Sequence, residues 1–244
     1  MKQNRIKAAS LLMAMLILCM AVMPAASAKN ITDKEDNERS GLFGVEMPNE
    51  LKKNVIQLDP YTFVAKSGIK DKEAFYAAWE EYEKKVLEQK RKAVSDEQVT
   101  TKGTITLDDY GFDTYTTSVG GSNVEGKTYF HGVRETELTE VVFTGNGYNR
   151  GKWYGSGDVD EITLDTSVVI SGMSVSLSVP AGFTVSGSGN TASFGDEYED
   201  TAYAIHVYEN LEASGSWLYD FDQNDGQSFK FGSSTYRTHT HVDL

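Results

Sequence analysis

The chain has 244 residues, of which 39% are hydrophobic and 24% are charged, and its formal net charge at pH 7 is -13. This composition is typical of a folded globular protein and excludes a disordered, collagen-like or multi-spanning membrane protein. The acidic balance also argues against nucleic acid as a partner, because an excess of carboxylates repels phosphate.

The first 28 residues have the pattern of a secretory signal peptide. A cationic start at residues 2–7 precedes an apolar run, and residues 26–28 supply the small side chains that a signal peptidase recognises. The uninterrupted apolar run, residues 11–22, is shorter than the roughly 20 residues of a bilayer-spanning helix. We therefore expect a secreted, extracellular protein that is cleaved after Ala28 and has no stable membrane anchor after signal cleavage.

The cysteine content agrees with that interpretation. Cys19 is the one cysteine of the chain, and it lies inside the predicted signal peptide, so the mature protein would contain no disulfide bond. A bacterial lipoprotein has a small residue before its lipid-modified cysteine, and Leu18, which precedes Cys19, is too large for that position. We therefore do not expect a lipid anchor at Cys19. A secreted chain without cysteine and with a short signal peptide that starts with lysine favours a bacterial, Gram-positive source. Without disulfide bonds, the hydrophobic core alone must stabilise the fold.

The mature chain divides into regions of different charge. Residues 29–102 contain 14 basic and 15 acidic side chains, whereas residues 103–244 contain 6 basic and 21 acidic ones. Residues 29–41 are polar and lack apolar periodicity, which predicts a flexible tail. We predict a helical N-terminal segment over residues 42–102 and an acidic β domain over residues 103–244.

The N-terminal segment contains two helical patterns. Leu51, Val55 and Leu58 recur at helical spacing, which predicts a short helix that ends at Asp59-Pro60 and is followed by a short strand over 61–65. A longer amphipathic helix is predicted over about residues 72–94, with Asp71 as its N-cap. Its apolar stripe consists of Phe75, Ala78, Trp79, Tyr82 and Val86.

This stripe allows two interpretations. It packs on the core of the protein itself, or it forms a surface for a partner or a pro-segment that covers the β region until maturation. The first interpretation is favoured, because an amphipathic helix normally buries its apolar face against its own domain.

From residue 103 onward the sequence alternates with a period of two. Apolar side chains at 105 and 107, at 175, 177 and 179, and at 203, 205 and 207 alternate with polar or small ones, as in half-buried strands. Gly145-Asn146-Gly147 and Asn224-Asp225-Gly226 are typical hairpin turns. The pattern predicts a mainly β protein whose C-terminal domain is an antiparallel, jelly-roll-like β-sandwich preceded by a short helical segment.

Three oxygen-bearing side chains suggest a calcium loop. Asp220, Asp222 and Asn224 occur at alternate positions ahead of Gly226, as hard-oxygen ligands do around a tight turn. No glutamate follows at the distance that would complete the coordination sphere. Calcium is the one cofactor that the sequence suggests, and no other is expected.

A β-hairpin is the favoured alternative for the same residues. In that interpretation Trp217, Tyr219 and Phe221 lie on one face of the first strand, and Asn224-Asp225-Gly226 forms the turn.

Two histidines near the C-terminus are spaced for a common metal. His239 and His241 lie on the same face of a strand, close enough to share a transition metal if His206 or His131 supplies a third nitrogen. The alternative, which we favour, is a pair of half-exposed histidines without a metal.

Aromatic side chains in a turn-rich stretch suggest a ligand site. Tyr148, Trp153 and Tyr154 lie around glycines 145–155, and aromatic rings displayed on loops can stack on sugars. The alternative is that these rings fill the core between two sheets.

The sequence contains no assembled catalytic motif, so we expect a non-enzymatic extracellular binding or interaction protein whose ligand is a glycan or a protein. The first alternative is a carbohydrate-active hydrolase with paired carboxylates. The second is a pore-forming or antagonistic secreted protein, in which the serine-alternating stretch Gly172–Gly187 forms an amphipathic hairpin whose apolar face contacts lipid. The same stretch also fits a half-exposed sandwich strand.

Overall fold

The computed structural model describes residues 41–97, 105–137, 139–187 and 189–244. The predicted signal peptide with Cys19, and the predicted tail up to residue 40, lie outside the described residues. Within the described ranges, no helix combines the length and the apolar character needed to cross a membrane.

Helical elements and two short strands precede the other ten strands of the described residues. The helices are α1 (Asn49–Lys52) and α2 (Lys72–Glu97), and a 3-10 turn at Leu42–Gly44 precedes them. The strands are β1 (Val55–Asp59), β2 (Thr62–Ala65), β3 (Ile105–Val119), β4 (Ser122–Thr136), β5 (Val141–Trp153), β6 (Val159–Met173), β7 (Ser176–Ser178), β8 (Thr184–Ser186), β9 (Thr191–Thr201), β10 (Tyr203–Gly215), β11 (Trp217–Phe231) and β12 (Ser234–Asp243).

The strands form two antiparallel sheets. The first sheet has the order β1-β2-β10-β5-β4-β3, and β7 also pairs with β10. The second sheet has the order β12-β11-β6-β9-β8. This arrangement confirms the predicted mainly β, antiparallel sandwich with a helical segment before it.

The predicted short helix through Leu58 is wrong beyond its first turn. Helix α1 ends at Lys52, and Val55–Asp59 is strand β1, which pairs with β2. The β-branched side chains of Val55 and Ile56 favour the extended backbone. The Asp59 carboxylate accepts a hydrogen bond from the Tyr61 amide at 2.7 Å and closes the connecting turn. The resulting hairpin joins the first sheet, because β2 pairs with β10.

Helix α2 lies on the outer face of the first sheet. It begins at Lys72, and the Asp71 carboxylate caps it by accepting a hydrogen bond from the Ala74 amide at 3.0 Å. The apolar stripe is buried and packs on the protein's own sheet rather than remaining open to a partner. The sheet residues beneath the helix are Tyr129, Tyr148, Tyr203, Ile205 and Val207.

A polar layer separates two apolar clusters between the sheets. One cluster contains Phe143 and Phe221, whose rings stack with centroids 3.9 Å apart, and the other contains Ile162 and Phe229. The fully buried polar residues between them are Thr128, Asn149, Gln223, Asp225, Gln227 and Thr240. The sandwich interior is therefore apolar at both ends and polar in the middle.

Hydrogen bonds connect the polar layer across the sandwich. Thr128 Oγ1 and Gln223 Nε2 donate to Asp225 Oδ2 at 2.6 and 2.8 Å. The Tyr208 hydroxyl donates to Gln223 Oε1 at 2.6 Å. Burial raises the pKa of Asp225 to about 7, although hydrogen bonds from its neighbours oppose that shift.

The two predicted hairpin turns lie inside strands. Residues 145–147 belong to β5, and residues 224–226 belong to β11, which pairs with β6 on one side and β12 on the other. A Cβ atom at Gly147 would lie 2.5 Å from the Tyr208 hydroxyl and 2.7 Å from Gln223 Oε1. This glycine therefore accommodates close side chains from the sandwich interior and does not form a turn.

Candidate functional site

The three aromatics predicted to be displayed on loops have different environments. Tyr148 is fully buried beneath α2, and Trp153 is 7% exposed and packs against Phe231 with ring centroids 4.8 Å apart. Tyr154 is 41% exposed and its hydroxyl donates to Glu125 Oε2 at 2.6 Å. The prediction of loop display is wrong for Tyr148 and Trp153, because the stretch that contains them is a paired strand and not a turn.

The predicted calcium loop is not a loop. Asp220 and Asp222 lie on strand β11, and their carboxylates meet that of Asp243 on β12, with the oxygen atoms within 4.8 Å of one another. Asn224 follows on the same outward face of β11 and lies opposite His241 in the β11–β12 pairing. Burial and the neighbouring Asp243 raise the pKa of Asp220. Three carboxylates on two strands are oxygen ligands that a hard cation accepts, but they are common on acidic surfaces without one.

The two C-terminal histidines share a face, but the structure does not bring a third histidine to them. His239 and His241 lie on the exposed face of β12, and His241 Nε2 is 2.9 Å from Asp222 Oδ1. His206 is buried between the sheets, and His131 is buried on β4. Among the described residues, no third metal-ligating side chain lies together with both histidines, and the shared transition-metal site stays a prediction.

A groove that the sequence analysis missed lies between α2 and β3. We call it the helix groove, and it encloses about 420 Å³. Strand β3 stands at the end of the strand order of the first sheet, and its pairing with β4 places Phe112 beside Tyr129. The lining residues are Glu80, Glu83, Lys84, Leu87 and Glu88 from the helix, and Tyr110, Phe112, Thr114, Lys127, Tyr129 and Tyr148 from the sheet.

The base of the helix groove is an ionic cluster around Glu83, which is 2% exposed. Glu83 Oε1 accepts hydrogen bonds from the Tyr148 hydroxyl and Lys127 Nζ, and Arg150 Nη1 donates to Oε2 at 2.8 Å. Burial disfavours the charged carboxylate, but the attraction of Arg150 and Lys127 outweighs it and lowers the pKa of Glu83. Glu83 therefore stays ionised and connects the helix to the sheet.

A second ionic contact fixes the same helix one turn earlier. Lys152 Nζ donates to Glu80 Oε1 at 2.8 Å and lies 4.4 and 4.3 Å from the ring centroids of Tyr76 and Tyr154. Burial lowers the pKa of Lys152, and the bond to Glu80 opposes that shift. The groove wall formed by α2 is thus held at two points along the helix.

The other wall of the groove carries accessible aromatic side chains. Phe112 is 65% exposed and Tyr110 is 39% exposed, both on strand β3. Large apolar side chains on an end strand are a liability for aggregation unless they serve binding. Phe112 pairs with Tyr129, which packs beneath α2, so Phe112 and Tyr110, two residues before it, lie on the face of β3 that looks toward the helix.

Comparison with known proteins gives no family for this chain. No family model matches it, and no curated protein matches it. The solved structures similar to it include manganese lipoxygenase of Gaeumannomyces graminis with partial zonadhesin of Komagataella pastoris, at 10% identity and a TM-score of 0.25, where the match covers 52% of this chain and 64% of the other.

Two further structures match at lower scores. One is described as a pore-forming protein, at 9% identity and a TM-score of 0.21, covering 59% of this chain and 94% of the other. The other is the NetB toxin of Clostridium perfringens in its membrane-inserted form, at 8% identity and a TM-score of 0.16, covering 57% and 94%. At TM-scores of this size the likenesses carry no conclusion about fold or function.

Proposed function

We propose that the protein is a secreted, non-enzymatic binding protein that holds a neutral glycan in the helix groove. The observation that carries this proposal is a groove of about 420 Å³ with accessible Phe112 and Tyr110 on one wall and charged side chains on the other. That volume lies within the range of small-ligand sites, about 300–1,000 Å³. Secretion is proposed from the signal-peptide pattern of residues 1–28.

The chemistry of the two walls suits a sugar better than other small ligands. A sugar ring has an apolar face that packs on aromatic side chains, and its hydroxyl groups pair with carboxylates and ammonium groups. Glu80, Glu88 and Lys84 supply such groups on the helix wall. The excess of acidic residues over the chain disfavours an anionic ligand, so we infer a neutral glycan.

The electrostatics of the groove favour binding over hydrolysis. Glycoside hydrolysis needs one carboxylic acid that stays protonated near neutral pH beside a second carboxylate. Glu83 has a lowered pKa and is engaged by two cations, so it is unsuited to donate a proton. Asp225 has a raised pKa but is enclosed between the sheets, where no glycan reaches it.

A glycan array of neutral oligosaccharides tests the proposal. The wild-type protein is expected to be retained on at least one glycan, and Phe112→Ala is expected to weaken that retention about tenfold, because an aromatic contact contributes about 0.5–1.5 kcal/mol beyond its buried area. The matched control is Tyr115→Ala, an exposed aromatic on the other face of the same strand. Equal loss in both variants, no retained neutral glycan, or release of free sugar would contradict the proposal.

A further inference from the structure

The segment between β6 and β9 crosses from one sheet to the other. We call Ser174–Gly187 the bridging segment. Its first part, β7, pairs with β10 of the first sheet, with Leu177 opposite Ala213. Its second part, β8, folds back on β9 of the second sheet, with Val185 opposite Ala192. Each pairing covers three residue pairs, so few backbone contacts hold the segment in place.

The composition of this region differs from the rest of the chain. No charged residue occurs from Thr166 to Gly195, although 24% of the chain is charged. Within the bridging segment, apolar residues alternate with serine or threonine on both sides of Pro180-Ala181-Gly182. The apolar residues are Val175, Leu177, Val179, Phe183 and Val185. This is the pattern of an amphipathic hairpin with one apolar and one hydroxyl-bearing face.

The register of the flanking strands extends this pattern. Strands β6 and β9 pair antiparallel in one unshifted register that ends at Val169 opposite Thr191. The same register, continued through the bridging segment, would put apolar residues opposite apolar ones and hydroxyl residues opposite hydroxyl ones. The pairs would be Val175 with Val185, Leu177 with Phe183, Ser174 with Ser186 and Ser176 with Thr184, around a turn at Pro180. The sequence therefore suits two conformations, of which the structure shows one.

The ends of the bridging segment have left-handed backbone conformations. Ser174 has φ 58° and Gly187 has φ 68°. The left-handed region is accessible to glycine but disfavoured for a residue with a side chain, so the backbone at Ser174 is strained. These two positions are where the chain leaves the line of β6 and turns before β9. An extended backbone at both positions would relieve the strain at Ser174 and let the bridging segment continue in the direction of β6.

The docked segment leaves part of its apolar surface open. Of its five apolar side chains, Phe183 is buried in the apolar cluster of Phe143, and Val175, Leu177 and Val179 are half-buried against that cluster. Val185 is 46% exposed. Docking therefore gains only part of the free energy that full burial of these side chains would give.

Exposed apolar side chains also mark the strand ends from which the segment departs. Met173 and Trp217 lie opposite each other in the β6–β11 pairing, and both are 64% exposed. Tyr219, two residues further along β11, is 60% exposed. Tryptophan and tyrosine are enriched at the level of lipid headgroups.

We propose that the bridging segment inserts into a neutral lipid bilayer. On contact with lipid it leaves β10 and β9, and it extends β6 and β9 as one hairpin whose apolar face meets the acyl chains. The first strand of this hairpin would consist of the end of β6 and the start of the bridging segment, and from Ser171 to Val179 it has nine residues. A tilted strand that crosses the hydrocarbon core needs about 9–11 residues. The exposed Trp217 and Tyr219 would then lie at the headgroup level.

Insertion requires several copies of the chain. The outer edges of a single hairpin would leave backbone amide and carbonyl groups without partners in lipid, at several kcal/mol for each group by general estimates. Copies that associate edge to edge satisfy those groups, and their hydroxyl faces then surround a path for water and solutes. A neutral bilayer is inferred because the acidic chain is repelled by anionic lipid. This activity goes beyond glycan binding and does not depend on the helix groove.

Dye release from phosphatidylcholine vesicles tests the insertion, because such vesicles carry no glycan and the result is independent of the groove. The double variant Leu177→Cys/Ala213→Cys, made with Cys19→Ser, joins β7 to β10 by a disulfide. We expect the oxidised variant to release dye at less than a tenth of the wild-type rate, and a reductant to restore release. The control Ser228→Cys/Arg237→Cys joins β11 to β12, which stay paired, and should release dye in both redox states.

A second pair of variants tests which face meets lipid. Val185→Glu places a charge on the apolar face and should lower the rate of dye release at least tenfold, whereas Ser186→Glu, on the hydroxyl face, should not. Both residues are exposed in the structure, so neither change disturbs the core. No dye release by the wild-type protein, undiminished release by the oxidised β7–β10 variant, or equal effects of the two glutamates would overturn the proposal.

Discussion

Asp225 is a carboxyl group enclosed in the polar layer between the sheets, and its pKa of about 7 compares with an ordinary value of 3.8. The folded state therefore binds this proton more tightly than the unfolded state does. The resulting stabilisation is complete below pH 4 and is lost as the pH rises to 7. Asp225→Asn should remove this loss and raise the free energy of unfolding at pH 8 by about 1–3 kcal/mol relative to wild type.

Urea unfolding between pH 4 and pH 8 measures this effect. Asn224→Asp, on the neighbouring outward-facing residue, adds a half-buried carboxylate outside the polar layer and serves as the control. If Asp225→Asn keeps the wild-type pH slope, the carboxyl group is not buried as the structure shows.

His206 affects the pH dependence of stability in the direction opposite to Asp225. Burial lowers its pKa to about 4 from an ordinary 6.5, although the charge of Asp59 opposes that shift. Its ring stacks on Phe194 with centroids 3.5 Å apart, and Nδ1 is 3.0 Å from Thr62 Oγ1. The unfolded state binds the proton more tightly, so stability is present above pH 6.5 and is lost as the pH falls toward 4.

The variant His206→Asn should lower the free energy of unfolding at pH 7, because the packing of the imidazole ring is lost. It should also remove the part of the loss of stability between pH 6.5 and pH 4 that comes from protonation of His206. In this window the contributions of Asp225 and His206 oppose each other in the wild-type protein. The two single variants should therefore tilt the pH profile of stability in opposite directions. The same tilt in both would contradict the assignment.

At the scale of elements, α2 is held to the first sheet by its apolar stripe and by Glu83. The variant Glu83→Gln would remove the carboxylate that pairs with the buried Arg150 and the half-buried Lys127, and would leave Arg150 with Glu125 as its remaining carboxylate partner. Removing one partner of a buried ion pair typically costs about 3–5 kcal/mol. We expect a loss of that order in the free energy of unfolding, measured by thermal or urea unfolding. Glu81→Gln, at an exposed position of the same helix, should change it by less than about 0.5 kcal/mol.

Helix α2 and some strands, such as β2, β7 and β10, could be predicted because their patterns are local. The stripe through Phe75 and Trp79 identifies the buried face of the helix, and Asp71 marks its start. The glycines of β5 mislead for a physical reason. Gly147 is required by Tyr208 and Gln223, which approach it inside the sandwich, and a local sequence pattern contains no information about such distant neighbours.

The candidate site depends even more on distant contacts. Tyr148 lies in a glycine-rich stretch that resembles a displayed loop, but it is buried because α2 covers that face of β5. The helix groove exists only where α2, β3 and β4 meet, and Leu87 and Phe112 are far apart in the sequence. Residue types alone therefore indicated aromatic binding surfaces in general without indicating which rings stay accessible.

At the scale of the whole molecule, the chain combines three layers with two separate surfaces. The helix and the two sheets stack in that order, the helix groove opens beside the helix, and the bridging segment closes part of the space between the sheets. The β region carries a large excess of negative charge, whereas residues 29–102 are nearly balanced, and this excess disfavours anionic partners for both the groove and the bridging segment. The two proposals use different residues, so each can fail without the other.

The central claim is that the helix groove binds a neutral glycan, and backbone amide chemical shifts during a titration with such an oligosaccharide test it most directly. Saturable shifts are expected that are largest for Tyr110 and Phe112 on β3 and for Leu87 on α2, and that require about tenfold more oligosaccharide in Phe112→Ala. Shifts confined to residues away from the groove, or no saturable shift with any neutral oligosaccharide, would contradict the claim.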